Sequence, residues 1–495
     1  MKHLIFNNNY VLKPDNGCTL MMARYVGRNL LVGKEDSFNS VIHPIFAMIL
    51  SFMNGRDYQS CICDAAAYLH VNTELIENFV LKLLNNPKEV LITENMNEGG
   101  SLFPPYTIIS IDKETIEKRY TPDDFKYDHI NLQLGRHLTP STITLMVNNI
   151  CVTDCIYCYE DKSMRRQCSI PLSRIISLIH EAHDVRVNTF DVIGGEFFLY
   201  SHWKDVLQEL RKYDFNPFLS TKMPLTESDV YFLSSIKIKD IQLSIDSMIE
   251  KHLMDSIKVR EGYVKKMHNC LLLLNKYHIP VLIHSVLTKY NGTVDDMRSI
   301  YEIIKNYDNI QEWHIVKGDP TLYPRINYDE IEISSSSMDI VTSYLRNVSE
   351  TAKMKVVYPN SSKPLEFNEE VTKSAPKSSS AKAMFFNRAF CSGLFSSLYI
   401  LPDGKVTICE QLYWHKPFIV GDIKKQSLME VWNSKQAKSL YYLKQSSIPK
   451  DSLCHSCADF KECRNKRQVC YRDIVKKYGF DKWYYPDVKC PFAKD

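Results

Sequence analysis

No stretch of the chain holds about 18 consecutive apolar residues, so nothing in it is predicted to span a bilayer. The opening MKHLIFNNNYVLK has too short an apolar run for a secretory signal. An excess of charge of one sign is also missing: the net charge is +3 over 495 residues, which offers nothing to a nucleic-acid partner. No repeat of 20–50 residues recurs, which excludes a solenoid or propeller array. These absences lead us to expect a cytoplasmic protein that works without membrane or nucleic acid. The apolar fraction of 44% is ordinary, so real cores can form, and the length suggests roughly three domains.

Cysteine, by contrast, is abundant: there are 15. In a reducing compartment, metal binding or redox chemistry accounts for such a number better than disulfides do. The distribution is uneven. Three cysteines lie within 151–158 and seven follow position 390. Cys18, Cys61, Cys63, Cys168 and Cys270 have no partner at metal-ligand spacing and read as buried thiols.

Along the chain, residues 1–99 read as a small α+β module. Short strands are expected at Tyr10–Leu12 and Leu30–Val32. A helix follows with Pro44 in its first turn and Gly55 past its end, then helices over about 58–70 and 74–84, and a wing strand at Val90–Ile92. Three helices with flanking strands suggest a winged-helix-like domain. Residues 100–139, with Pro104, Pro105 and Pro122, read as a connector. From about 140 to 330 the rhythm alternates strand and helix. Strands are expected at 142–147, 190–193, 218–220, 241–245, 281–287 and 313–316. This is an α/β pattern for a parallel sheet, open or partly closed as a barrel, with chemistry at the C-terminal strand ends. Residues 331–384 form a bridging region whose segment Lys373–Lys382 reads as a flexible linker. Residues 385–495 are the cysteine-rich region.

Cys151, Cys155 and Cys158 directly follow the first strand of the alternating region. A tight loop lets three thiolates converge on three corners of one iron–sulfur cube, and a missing fourth ligand leaves one iron open. A zinc loop or three buried thiols are the alternatives, although zinc normally takes four ligands. The segment CVTDCIYCYE resembles the signature of the radical S-adenosylmethionine (SAM) superfamily, and the β/α pattern resembles its partial (β/α)6 TIM-like barrel. The resemblance implies a [4Fe–4S] cluster whose open iron chelates SAM, and reductive cleavage of SAM to a 5′-deoxyadenosyl radical. Gly194, Gly195 and Glu196 resemble the motif that receives the SAM amino group, with Phe197 where proline is usual. The paired glycines are expected to let backbone come close to a ligand. Ser220 and Thr221 fall where the family has a ribose-proximal Thr-Asn-Gly, from which Lys222 and Met223 depart. Ser244 and Asp246 resemble its SxD element, near ribose or carboxylate.

The later cysteines are Cys391, Cys409, Cys454, Cys457, Cys463, Cys470 and Cys490, with an Asp403-Gly404 hairpin turn shortly before Cys409. The pattern C…GxxxxC…CxxCxxxxxC resembles the SPASM extension of peptide-modifying radical SAM enzymes, although the six residues before Cys470 exceed the usual spacing. The resemblance implies two auxiliary [4Fe–4S] clusters. One would be held by Cys454, Cys457, Cys463 and Cys490. The other would be held by Cys391, Cys409 and Cys470, and with seven thiolates in all it would keep an open or non-cysteine-ligated iron. Taken alone, Cys454, Cys457, Cys463 and Cys470 also suit a zinc knuckle. Arg464, Lys466 and Arg467 either offset cluster charge or form a solvated face.

The N-terminal module resembles, in architecture, the leader-recognition element of ribosomally made peptide pathways, which binds peptide as an added strand. These resemblances imply a radical SAM oxidoreductase, a peptide maturase that crosslinks a precursor through thioether or carbon–carbon bonds. An external electron donor such as flavodoxin or ferredoxin would reduce the cluster. A formylglycine-forming sulfatase-maturing enzyme, a peptide epimerase, and a non-enzymatic leader-binding or zinc protein are the other readings.

Overall fold

The computed structural model describes residues 3–24, 39–95, 99–163, 165–359, 361, 381–388 and 391–493, and it divides into two compact units. The expected strand at Leu30–Val32 lies outside the described residues, as does the expected linker up to Ser380. Ala381 and Lys382, read as linker, instead begin the helix Ala381–Phe386.

The first unit comprises residues 1–141 together with 186–189. Its helices are Pro44–Phe52, Tyr58–Leu69 and Thr73–Leu83. Asp57 and Asn72 cap the second and third, accepting from the backbone N–H of Ser60 and Glu74. The helices close over an aromatic core. Phe46 and Phe79 stack at 4.9 Å, and Phe103 meets them edge-on at 5.5 and 5.6 Å. The strands Tyr10–Asp15, Cys18–Ala23 and Asn39–Ile42 form one antiparallel sheet, and Val90–Asn95 pairs with Gly99–Phe103 as a hairpin.

The segment 100–139 is no connector. Gly99–Phe103 completes the hairpin, Ile108–Ile111 pairs with His3–Phe6, and Phe125 is fully buried. Pro104 and Pro105, read as linker prolines, merely turn the chain between two strands, a position where no ladder N–H is required.

The second unit holds the alternating strands, in two sheets of five. Ser220–Thr221, Ile241–Ser244, Val281–Leu287 and Ile310–Lys317 pair in parallel, and Lys355–Val357 extends that sheet beyond residue 330. Val281–Leu287 alternates buried and half-buried residues, as expected of a strand with unequal faces. The first strand of the unit, Thr142–Met146, lies between Thr189–Ile193 and Ser397–Ile400. Ser397–Ile400 pairs with it in parallel, Ser397 opposite Thr142 and Ile400 opposite Leu145. The chain then turns at Gly404, whose φ is +87°, into the antiparallel strand Lys405–Thr407. The cysteine-rich region thus supplies the barrel sheet with a strand of its own. Among the described residues no helix is long and apolar enough to cross a membrane.

Candidate active site

The buried strand Thr142–Met146 delivers the chain into the three-cysteine loop. Asn148 organises the entry. Its side-chain oxygen accepts from Ile150 N at 3.1 Å and from Glu196 N at 3.4 Å, while its amide donates to Glu196 O at 3.0 Å. Gly195 N donates to Asn148 O at 2.8 Å. A Cβ on Gly195 would stand 2.5 Å from Ile150 O, and one on Gly194 would stand 3.0 Å from Asn148 Oδ1. The paired glycines were expected to admit a ligand. In the structure they admit the backbone of the cysteine loop itself.

The far side of the loop is strapped to the C-terminal end of helix Glu250–Ser256: Asp154 N donates to Ile257 O at 2.8 Å and Ile156 N to Ser256 O at 3.0 Å. Thr153 Oγ1 lies 3.3 Å from Cys151 Sγ and 3.4 Å from Cys155 Sγ, holding two sulfurs within two hydrogen-bond lengths of each other. Cys155 packs with Tyr157 and Cys158 against Leu253 and Ile257. Burial pushes the Cys155 thiol up and the Cys158 thiol up to about 11. Such thiols need a counter-charge, supplied by a metal, before they serve as thiolates.

Glu196 ends the neighbouring strand and is 2% exposed. Its carboxylate accepts from Thr221 Oγ1 at 2.8 Å and from Phe198 N at 3.2 Å, and burial pushes its pKa up to about 7. A buried acid of this kind gains from a cationic ligand. Ser220, proposed alongside Thr221, faces away: its hydroxyl accepts from Gln242 Nε2 at 2.8 Å, because successive strand residues point to opposite faces. Ser244 is 8% exposed at the end of its strand.

Asp246 is buried and already engaged. Lys222 Nζ lies 3.0 Å from Oδ2, Tyr157 OH donates to the same oxygen, and Val286 N donates to Oδ1 at 2.9 Å. The expected ribose or carboxylate contact therefore competes with three protein donors. Lys222, where the sequence departs from the family pattern, joins the site directly. Its ammonium lies 5.7 Å from the Tyr157 ring centroid, and its backbone carbonyl accepts from Tyr263 OH at 2.6 Å. Burial pushes Lys222 down, but Asp246 and the Cys155 sulfur pull it back above its ordinary value.

Glu160 is a further group that spacing did not single out. It is 7% exposed beside Cys158, and burial raises it to about 7. The only sequence signal was its place next to the cysteine triplet.

The seven late cysteines fall into two neighbourhoods. Cys454, Cys457, Cys463 and Cys490 line a single cleft, walled by Phe385, Phe460 and Phe492. Cys391 and Cys470 both act on the Cys409 thiol, which burial pushes up to about 12. Among the described residues no three His, Cys, Asp or Glu side chains converge on one point as around a single ion. Arg464, also on the cleft wall, leaves Nε and Nη1 buried without a hydrogen-bond partner. An all-thiol donor set, an aromatic wall and unused N–H donors suit an iron–sulfur cluster. Of the cysteines without metal spacing, Cys18, Cys61 and Cys270 are buried, while Cys63 and Cys168 are only partly so.

Fold and cysteine loop together define the class: the chain carries a radical SAM domain followed by an iron–sulfur cluster-binding SPASM domain. Residues 145–297 match the radical SAM superfamily and residues 391–458 match the SPASM iron–sulfur cluster-binding domain. These two domains imply [4Fe–4S] clusters and SAM as cofactors. The structure is similar to that of SuiB from Streptococcus suis. Against SuiB bound to its precursor peptide SuiA the TM-score is 0.63 at 14% identity, covering 99% of this chain and 100% of that one. Against SuiB bound to S-adenosylmethionine it is 0.59 at 12% identity, with the same coverage. At such identities the likeness is one of fold. Among curated proteins no sequence matches.

Proposed function

We propose that this protein is a radical SAM peptide maturase that oxidatively crosslinks a ribosomally made precursor peptide. The observation that carries the reading is the sorting of ten cysteines into three sets, one on the barrel loop and two in the C-terminal region. When bound, cluster and SAM supply a 5′-deoxyadenosyl radical that takes a hydrogen atom from the peptide.

The protein's own residues position these groups. Cys151, Cys155 and Cys158 would hold the cluster, three thiolates leaving one iron for SAM. Asn148 and Gly195 fix the loop against the strand end that bears Glu196. Glu196 would receive the SAM ammonium, a cation that favours the charged form of this buried acid. Lys222, locked to Asp246, keeps a positive charge near the cluster sulfurs, and Tyr157 excludes water from that side. Gly194, Ser244 and Asp246 shape the cofactor pocket from behind, and Ser220 supports the strand through Gln242. Cys454, Cys457, Cys463 and Cys490 would hold one auxiliary cluster. Cys391, Cys409 and Cys470 would hold a second, and three thiolates would leave it able to accept a further ligand such as a substrate thiol, which tilts the reading toward a thioether.

The N-terminal module, residues 1–99 of the first unit, recognises the leader as an added strand. In support, the fold matches SuiB over its whole length, and SuiB has been crystallised with its precursor SuiA. A crosslink removes two hydrogens from the peptide: one would leave as a hydrogen atom on 5′-deoxyadenosine, and the other as a proton and an electron, for which the auxiliary clusters would supply an acceptor. An external donor such as flavodoxin or ferredoxin starts the cycle.

The test is anaerobic reaction of the reconstituted chain with a short precursor encoded beside the gene. A product lighter by two hydrogens per site, with its thiols consumed, supports the thioether. The same loss with thiols intact points to a carbon–carbon bond. An unchanged mass with inverted stereochemistry makes the protein an epimerase, and formylglycine makes it a sulfatase-maturing enzyme. An iron content of roughly 8–12 per chain is expected from two or three cubane clusters. Failure to cleave SAM under reductant removes the enzymatic reading altogether.

A further inference from the structure

Arg464 and Arg388 reach the sulfurs of the four-cysteine cleft from two sides. Arg464 is 2% exposed and stands in the π-helical turn Lys461–Arg467, one residue after Cys463. One of its nitrogens carries all its bonds. Nη2 donates to Tyr484 O at 3.2 Å and to Tyr485 O, and lies 3.6 Å from Cys454 Sγ. Nε and Nη1 have no partner, although both are buried on the cleft wall. Arg388 Nη2 lies 3.5 Å from Cys463 Sγ and donates to Gln468 O at 2.5 Å, with the guanidinium 3.9 Å over the Phe385 ring.

A guanidinium is always charged, and a buried one with unused donors costs several kcal/mol unless an anion meets it. Four thiolates on a cluster are such an anion. Adding an electron makes the cluster more negative by one charge in a setting screened by Phe385, Phe460 and Phe492 rather than by water. Hydrogen bonds to sulfur, net charge and solvent exclusion all set cluster potentials. Lys466, two residues further, has a side chain 64% exposed and pairs with Glu462, so it is the solvated member of the same basic run.

We infer that Arg464 and Arg388 form a cationic sheath that raises the reduction potential of the Cys454–Cys457–Cys463–Cys490 cluster, making it the electron-accepting end of the protein. This rests on the reading that those four cysteines hold a cluster. The step concerned is the entry of one electron: no bond forms or breaks, and the guanidinium protons stay on nitrogen.

The experiment uses the full chain, reconstituted anaerobically in a Cys151→Ala, Cys155→Ala, Cys158→Ala background that silences the first cluster. Iron and sulfide are counted, and an EPR-monitored titration with dithionite gives the midpoints. Arg464→Gln is expected to weaken reduction of one auxiliary cluster about tenfold, which is about 59 mV for one electron. Arg388→Gln should shift the same cluster in the same direction, Arg464→Lys should shift it less, and Lys466→Gln should not shift it. Full cluster occupancy with unmoved midpoints in Arg464→Gln and Arg388→Gln overturns the inference. Where Arg464→Gln loses iron, the midpoints of Arg464→Lys and Arg388→Gln decide, and an unmoved Arg388→Gln overturns it. A background protein with no C-terminal iron refutes instead the assignment of clusters to these cysteines.

Discussion

Glycine at position 195 and lysine at position 222 serve different ends. At Gly195 a single added methyl would stand only 2.5 Å from Ile150 O, backbone that cannot yield without moving the loop that leads into Cys151. We expect Gly195→Ala to lose about one cluster's iron, near a third of the total if three clusters bind, with the C-terminal clusters retained; iron counting and Mössbauer spectra check this. At Lys222 the partner is the issue. Removing it leaves Asp246 charged and buried, so Lys222→Met should cost about 3–5 kcal/mol of stability. Lys222→Met combined with Asp246→Asn should regain most of that in a denaturant titration. If Lys222 also serves SAM, the double variant binds SAM weakly despite its restored fold; full SAM affinity there would reduce the pair to a structural role.

His137 gives a pH dependence at the same scale. It is 2% exposed, and burial, with the Lys13 and Arg136 cations adding to it, pushes its imidazole down to about 3. Above about pH 6.5 both folded and unfolded forms are neutral and the residue costs nothing. As pH falls from 6.5 toward 3 the unfolded chain binds the proton first, so stability is lost over that window, by up to about 1.4 kcal/mol per pH unit. The slope of stability against pH between 4.5 and 6.5 should flatten in His137→Gln; an unchanged slope assigns acid sensitivity to other groups.

At the level of elements, helix periodicity was well legible. The helix expected with Pro44 at its start runs from Pro44 to Phe52, and the third expected helix runs from Thr73 to Leu83, each within a residue or so at its start. Their apolar faces meet in the Phe46, Phe79 and Phe103 stack. Phe79→Ala removes one wall of that stack and should cost about 3–5 kcal/mol in this unit. The expected readout is loss of precursor binding in a pull-down while slow SAM cleavage without peptide persists. Loss of both would mean that the units do not fold separately. What periodicity could not show was the role of 100–139. Proline marks where a chain turns but not whether the strands on either side of it pair.

The whole molecule adds pairings that no local pattern carries. Ser397–Ile400 joins the barrel sheet beside Thr142–Met146, some 250 residues earlier in the chain. Removing residues 391–495 strips that neighbour and leaves the strand that feeds Cys151 with an open edge. We expect such a truncation to aggregate on expression and to fail to assemble even the first cluster, measured by soluble yield and iron. A soluble truncation with four irons would show the barrel to be self-sufficient.

Sequence alone determined which residues could carry the chemistry: CxxxCxxC after a strand, a Gly-Gly-Glu at the next strand end, and seven late cysteines, with their division into cluster sets implied by the family resemblance. Such spacings are local, and a loop of eight residues has few ways to fold around a cluster. Only the tertiary structure decided the rest. It turned Ser220 away and Thr221 inward, and it set Lys222 against Asp246. Of one basic run, it buried Arg464 among sulfurs and left Lys466 in water. Each outcome depends on which distant strand or loop lies opposite, because burial and partner choice are set by contacts across hundreds of residues.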